Sequence, residues 1–437
     1  MAEGQLRAEP SPARAQGAPG PLPSRKRRAA PGFILLTIAL DALSFALIIP
    51  VVPDLVRSIG HLDSHRASLW VGIVFSAFAA AQFVCAPILG GLSDRFGRRP
   101  VLLFSLAALA LNALCWVSVP SLGWLLALRL AAGACAGNIS AATAYLADVT
   151  PPEKRAQAFG LVGAMFGLGF VVGPGLGGLL GGSSLRLPFV VAAVLLALDV
   201  LYGLLILPES LPPERRRPFS WRRANPLGTL RLVLADGLTR RLGAAWCCGW
   251  MALGAQQAAF ILSSQLRFNW SLKQIGLVLA ASGLMQAVVQ GVLVGRISGR
   301  VGPRRTALLG GTCAAAGYGF YALAGRPAVL FAGMPLLALG ALTGPAIQAM
   351  LSRAAGPQRQ GEVQGTLSSL QGLSLVVAPT GMGLLFELAT APGAALHWPG
   401  VPFALGALLS LCAAWLVRGV PDAATADVDV AAGDALE

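Results

Sequence analysis

Gly90-Gly91-Leu92-Ser93-Asp94-Arg95-Phe96-Gly97-Arg98-Arg99-Pro100 is a basic, glycine-rich loop between two long apolar stretches. Its pattern returns 205 residues later as Arg296-Ile297-Ser298-Gly299-Arg300-Val301-Gly302-Pro303-Arg304. At the same offset Pro152 falls on Pro357, Gly160 on Gly365, and Val171-Val172-Gly173-Pro174 on Val376-Val377-Ala378-Pro379. Three separate segments in one ungapped register point to a duplicated chain of two parallel halves. Such chains bind substrate between the halves near the midplane, and rocking of one half against the other gives alternating access.

The rest of the chain fits a duplication inside a membrane. Of 437 residues 55% are apolar and 12% charged, with a mean hydropathy of +0.69. So few charges cannot solvate that much apolar surface in water, which excludes a soluble enzyme. Twelve stretches reach the roughly 20 residues needed to cross a bilayer. The expected fold is an all-α membrane protein of 12 transmembrane helices in two pseudo-symmetric six-helix bundles. Its expected parts are a disordered basic tail (1–31), a first bundle (32–208), a polar linker (209–240), a second bundle (241–418) and an acidic tail (419–437). The apolar stretch Phe33 to Val56 is too long for a signal-peptide core and lacks a small-residue cleavage site, so it reads as a retained first helix.

The formal net charge of +14 invites a nucleic-acid partner, but the basic residues lie between apolar spans without aromatic interleaving or a binding fold. Sorted by loop they give a topology instead. With both ends cytoplasmic, 26 of the 33 Lys and Arg lie on the cytoplasmic side, six on the other, and Arg129 within a span. The seven cysteines lie in apolar stretches and read as buried free thiols. The three histidines, His61, His65 and His397, sit at loops or span ends and build no metal site. No nucleophile, base and orienting group occur together, so no enzyme is expected.

The loop at Gly90, Gly91, Asp94, Arg95, Gly97, Arg98 and Arg99 has two readings: a solvated positive-inside loop, or a gating element. In the second, glycines allow close helix approach and Asp94 accepts charge-assisted hydrogen bonds from arginines or a helix N-terminus. The loop resembles the signature of the major facilitator superfamily. Gly169-Phe170-Val171-Val172-Gly173-Pro174-Gly175-Leu176-Gly177-Gly178 resembles the antiporter motif of drug:proton exchangers. Its glycines permit tight helix contact and Pro174 bends the helix, although ordinary small-residue packing is an alternative. Three further segments resemble the tetracycline-efflux branch. They are Leu40-Asp41-Ala42 with Ile49-Pro50-Val51-Val52-Pro53, the run from Arg129 to Thr150, and Gln348 to Arg353 with Arg359-Gln360-Gly361. The similarity runs over residues 33 to 418.

Asp41 stands out on position alone. Eight residues beyond Phe33, at about 1.5 Å each, it lies about 12 Å into a core about 30 Å thick. An ionisable group there is costly to hold and is a functional candidate able to load and release a proton. Arg129 is either its ion-pair partner or the cation that tunes it. Asp199 and Glu387 are read as reaching a water interface. Asn138, Gln256, Gln257, Gln286, Gln290 and Gln348 are candidate substrate contacts, or interhelical hydrogen bonds.

The resemblance implies a histidine in span eight and an acid in span nine, where this chain has Gln286 and Ala315 or its neighbour. No acid occurs from Leu242 to Gly361. Proton coupling therefore rests on the first half, chiefly Asp41, and these departures put tetracycline as the substrate in doubt while the chain stays tetracycline-efflux-like. The expectation is a proton-coupled exporter of a small amphipathic compound in the bacterial inner membrane, a monomer needing no cofactor beyond the proton gradient. A metabolite or sugar symporter and a non-transporting receptor or scaffold are the alternatives.

Overall fold

The structure is a computed structural model and describes residues 25–151, 154–221, 237–356, 359–394 and 397–420. The basic tail as far as residue 24, the linker from 222 to 236 and the acidic tail from 421 lie outside the described residues. Ten helices among the described residues are long and apolar enough to cross a membrane. One of them, Leu272–Leu323, has 52 residues, about 78 Å of helix against a core of about 30 Å. It breaks at Gly302, where φ is 80° and ψ 161°, so it supplies two crossings. Gly237–Phe268 has 32 residues but carries arginines at both ends and glutamines within, which lowers its apolarity without shortening it.

We number twelve helices: α1 (Gly32–Gly60), α2 (Ser64–Phe96), α3 (Arg98–Ser118), α4 (Leu122–Val149), α5 (Arg155–Gly181), α6 (Leu187–Ile206), α7 (Gly237–Phe268), α8 (272–301), α9 (303–323), α10 (Pro327–Ala355), α11 (Gln360–Thr390) and α12 (Val401–Arg418). The helix containing α1 starts at Arg25, inside the segment expected to be disordered.

The internal duplication shows in backbone detail. Gly97 (φ 110°) ends α2 and Gly302 (φ 80°) ends α8, 205 residues apart and both in a conformation that favours glycine. The break in α4 at residues 136–137 has its counterpart in the 3₁₀ turn Gly340–Leu342 of α10. A Cβ at Gly97 would press on the Glu209 carboxylate, whereas one at Gly302 meets nothing within 4 Å. Gly302→Ala should therefore cost only the strain of a backbone region that is essentially glycine's alone, about 1–3 kcal/mol, and Gly97→Ala more. Thermal unfolding of the purified variants should rank them in that order.

The halves meet through two matching contacts. In one, α5 packs on α8: a Cβ on Gly276 would come within 2.5 Å of the Pro174 carbonyl, and one on Gly178 would collide with that of Leu272. In the other, α11 packs on α2, with Gly72 against the Pro379 carbonyl and Gly383 against that of Ser68. Pro174 and Gly178 map onto Pro379 and Gly383 at the offset of 205.

Both contacts lie toward the face opposite the arginine-rich loops. There Ser68 Oγ donates to the Gly383 carbonyl (2.8 Å), Thr380 Oγ1 to Ser76 Oγ (2.8 Å) and Gln265 Nε2 to both Asp54 oxygens (3.0 Å each). One apolar core, with Val52, Leu55 and Phe75 from the first half and Phe260, Leu272 and Phe386 from the second, seals that face. Toward the basic face the cores separate, one built on Phe33, Leu102 and Tyr145 and the other on Leu242, Met350 and Leu367. The halves are joined on one face and separate on the basic one.

The seven cysteines are free, but six are half-buried and Cys412 is exposed. This corrects the expectation of full burial, since an apolar helix surface in a bilayer needs no protein cover.

Candidate transport site

Asp41 lies about midway along the helix that begins at Arg25, half-buried, with the Asn138 side chain beside its carboxylate. Asn138 is 2% exposed and opens the second segment of α4, where its Oδ1 accepts from the Ile139 amide at 2.9 Å. That bond fixes the Asn138 side chain at the break in α4, which makes a candidate substrate contact a neighbour of the acid. Gln82 of α2 also reaches the break, donating to the Ala136 carbonyl at 3.5 Å.

The antiporter-like motif forms the wall behind Asp41. Gly169, Gly173 and Gly177 recur every four residues, on one face of α5. A Cβ on Gly169 would sit 2.7 Å from Ala42 Cβ, one on Gly173 2.6 Å from Ala46 Cβ, and one on Gly177 would collide with the Leu47 carbonyl. The next face, with Pro174 and Gly178, makes the contact with α8 described above. One segment therefore fixes α1 beside its acid and also forms half of the inter-half seam. One turn beyond Asp41, Phe45 packs against Phe78 (5.4 Å between ring centroids) and Phe170 (6.1 Å). This aromatic cluster lies between the acid and the closed face.

Arg129 is not the partner of Asp41. It precedes Asn138 by nine residues, roughly 13 Å along α4 toward the closed face. It is 2% exposed, with its guanidinium 4.5 Å from the Trp116 ring centroid and 5.5 Å from that of Phe75, and its Nε and Nη2 unpaired. Cation–π contact with two rings, one of them tryptophan, takes the place of the expected ion pair.

The glycine-rich loop forms a basic-face network within the first half. Arg98 pairs with Asp94 at 2.6 Å and Asp148 at 3.3 Å, and donates to Ser93 Oγ at 3.2 Å. Glu209 accepts from the backbone amides of Arg98 (2.9 Å) and Arg99 (3.3 Å), an acid at the N-terminus of α3. Arg99 donates to the Leu204 carbonyl at 2.8 Å, and the Arg95 guanidinium lies over the Phe96 ring. Gly91 packs on Phe219, while Gly90 lies in ordinary contact with Ser140. The ends of α2, α3, α4 and α6 are thereby tied into one body.

The glutamines form no hydrogen bond with Asp41 or with one another among the described residues. Gln256, Gln257, Gln286 and Gln348 are half-buried and Gln290 exposed, and their side chains form no hydrogen bond among the described residues. Gln290 lies in a π-helical turn, Val289–Leu293, a deformation frequent at functional sites. Asp199 overturns the reading that it reaches water: it is 1% exposed and accepts a 3.0 Å hydrogen bond from Thr37 Oγ1. Glu387 is half-buried, with Oε2 shielded and unpaired, so it too is not a freely solvated group.

Two six-helix halves joined at one face and separate at the other, with an acid near the seam, define a secondary membrane transporter. The family profile described as Major Facilitator Superfamily matches residues 34–268 and 245–432, and the chain belongs to that superfamily. Within it, the chain is 39% identical to the tetracycline resistance protein, class C, of Escherichia coli over 90% of this chain and 97% of that protein. The crystal structure of the human organic anion transporter MFSD10 (TETRAN) aligns with a TM-score of 0.66 at 27% identity, covering 90% of this chain and 99% of that one. An inward-facing, occupied bacterial homologue of the lysosomal transporter Spinster, at 15% identity, shares the fold with a TM-score of 0.74 over 93% and 100% of the two chains.

Proposed function

We propose that the protein is a proton-coupled antiporter that exports a small amphipathic compound, with its basic face and both termini in the cytoplasm of a bacterial cell and the monomer as the working unit. The observation that carries this reading is Asp41: an acid within the membrane, half-buried beside the neutral Asn138, in no ion pair among the described residues, and backed by the glycine face of α5. Such a group changes charge when the halves rock. On the cytoplasmic side it gives up its proton and substrate enters. On the opposite side protonation releases substrate and permits return. One proton supplies about 1.4 kcal/mol per pH unit and about 2.3 kcal/mol per 100 mV, enough together for a substrate gradient of a hundredfold or more.

The amphipathic class follows from the surroundings of the acid. The Phe45, Phe78 and Phe170 rings offer apolar contact beside a single charge. The second half carries no acid before Gly361. The test is wild-type protein in an efflux-deficient bacterium, challenged with tetracycline, lipophilic cations and organic anions. Resistance to one class should coincide with substrate-dependent collapse of a pH gradient in everted vesicles. Silence of both readouts across the panel would overturn the proposal.

A further inference from the structure

Asp199 is a buried acid that the cycle above leaves unused. It lies within α6, 1% exposed; Oδ1 accepts from Thr37, while Oδ2 is shielded and has no partner among the described residues. Thr37 precedes Asp41 by four residues, so the two share one stripe of α1. The Thr37 hydrogen bond thus brings the Asp199 carboxylate to the α1 stripe one helical turn from Asp41.

The charged and titratable groups on the helices packed against α6 are few. From α1 they are Asp41, Asp54 and Arg57, the last two paired with each other at 3.4 Å at the closed face, and the helix carrying α1 starts on Arg25, Lys26, Arg27 and Arg28 at the basic end. From α3 they are Arg98 and Arg99 at the basic end, engaged with Asp94, Asp148 and the Leu204 carbonyl. From α5 it is Arg155, turned onto the Thr150 carbonyl, and α6 itself adds Tyr202, whose ring lies on Phe33. None of these cations is hydrogen-bonded or ion-paired to Asp199 among the described residues.

We propose that Asp199 is a second proton-carrying carboxylate of the transport site, paired with Asp41 across the α1–α6 seam, so that the first half holds two exchangeable protons. The proposal rests on the proton-coupled reading and extends it. Two negative charges about one helical turn apart in a low-dielectric seam oppose each other, and neither acid forms an ion pair among the described residues. The pair therefore loses and regains protons in coupled steps. Open to the basic side, each carboxylic acid releases one proton to water and becomes a carboxylate. Open to the other side, each carboxylate takes one proton back. Thr37 holds Asp199 in place as a positioning residue.

Infrared difference spectroscopy on the purified full-length protein, stepped through pH, follows the carbonyl band of protonated acids directly. Wild type should show two buried-acid steps and Asp199→Asn one. Thr37→Val, which removes only the hydroxyl, should keep two steps and displace the one belonging to Asp199. A wild-type spectrum in which Asp41→Asn removes the only step, with Asp199→Asn unchanged from wild type, would overturn the proposal. So would an Asp199 band that persists unchanged across the whole range. Either result leaves the proton-coupled reading standing, because the Asp41 step remains. Absence of any Asp41 step would sink that reading itself.

Discussion

Asp41→Asn abolishes export while leaving the protein folded in the membrane. Asparagine keeps the shape beside Asn138 but has no proton to exchange, and Asp199 alone does not replace the acid at the seam, so the substrate gradient should fall from a hundredfold or more to none. Cells carrying the variant should be at least tenfold more sensitive than wild type to whichever compound wild type exports, at equal membrane levels. Asp41→Glu retains the ionisable group but adds a methylene where Gly169 lets α5 close on Ala42 beside it. It should keep part of the activity. Resistance in Asp41→Asn equal to wild type would remove the acid from the mechanism. Arg129→Ala is expected to act differently. Its guanidinium lies between two aromatic rings, so its loss should lower stability through packing, and Arg129→Lys should not restore the stacking.

Gly276→Val and Gly72→Val prevent closure of the outer face. Each places a branched side chain against the carbonyl of a proline in the opposite half, Pro174 or Pro379, where backbone cannot yield. The contact joins the two halves and not the helices within one, so each half should still fold. Transport should fall more than tenfold. A cysteine placed at Gln265, which bonds to Asp54 across the closed face, should react at least tenfold faster with a membrane-impermeant thiol reagent added from outside. The parent without the engineered cysteine corrects for the seven native thiols. Gly319→Val, at a position with nothing within 4 Å, serves as control and should match wild type. Unchanged labelling and transport in Gly276→Val would mean that the glycine seam is mere packing.

What the sequence made legible follows from two periodicities. Apolar span length set the number of crossings, and the offset of 205 placed Gly97 on Gly302 and Pro174 on Pro379, both of which recur as matched geometry. The glycine spacing in α5 was legible for the same reason, since a four-residue repeat selects a helix face without knowledge of its neighbour. Pairing across helices was not. Arg129 and Asp41 are the obvious opposite charges inside spans, yet depth along α4 separates them, and only the break at residues 136–137 brings Asn138 to the acid.

Asp199 was misread because an acid in an apolar run looks alike whether it faces water or a neighbour. Two signals pointed inward. An aspartate is too short to reach an interface about 10 Å away at Ile206, as lysine or arginine can. Thr37 and Asp41 also mark a polar stripe on α1 that needs polar company. The glutamines show the limit of composition: polar groups within spans are found easily, but nothing in their spacing says which of them a substrate touches.

The central claim is that the proton gradient drives export. Its most direct measurement is uptake of the exported compound into everted, ATP-free membrane vesicles after an inside-acid pH gradient is imposed. Wild type should accumulate the compound, lose that accumulation when an ionophore collapses the gradient, and show none with Asp41→Asn. Accumulation that persists after the gradient is collapsed, or that is equal in the variant, would contradict the account.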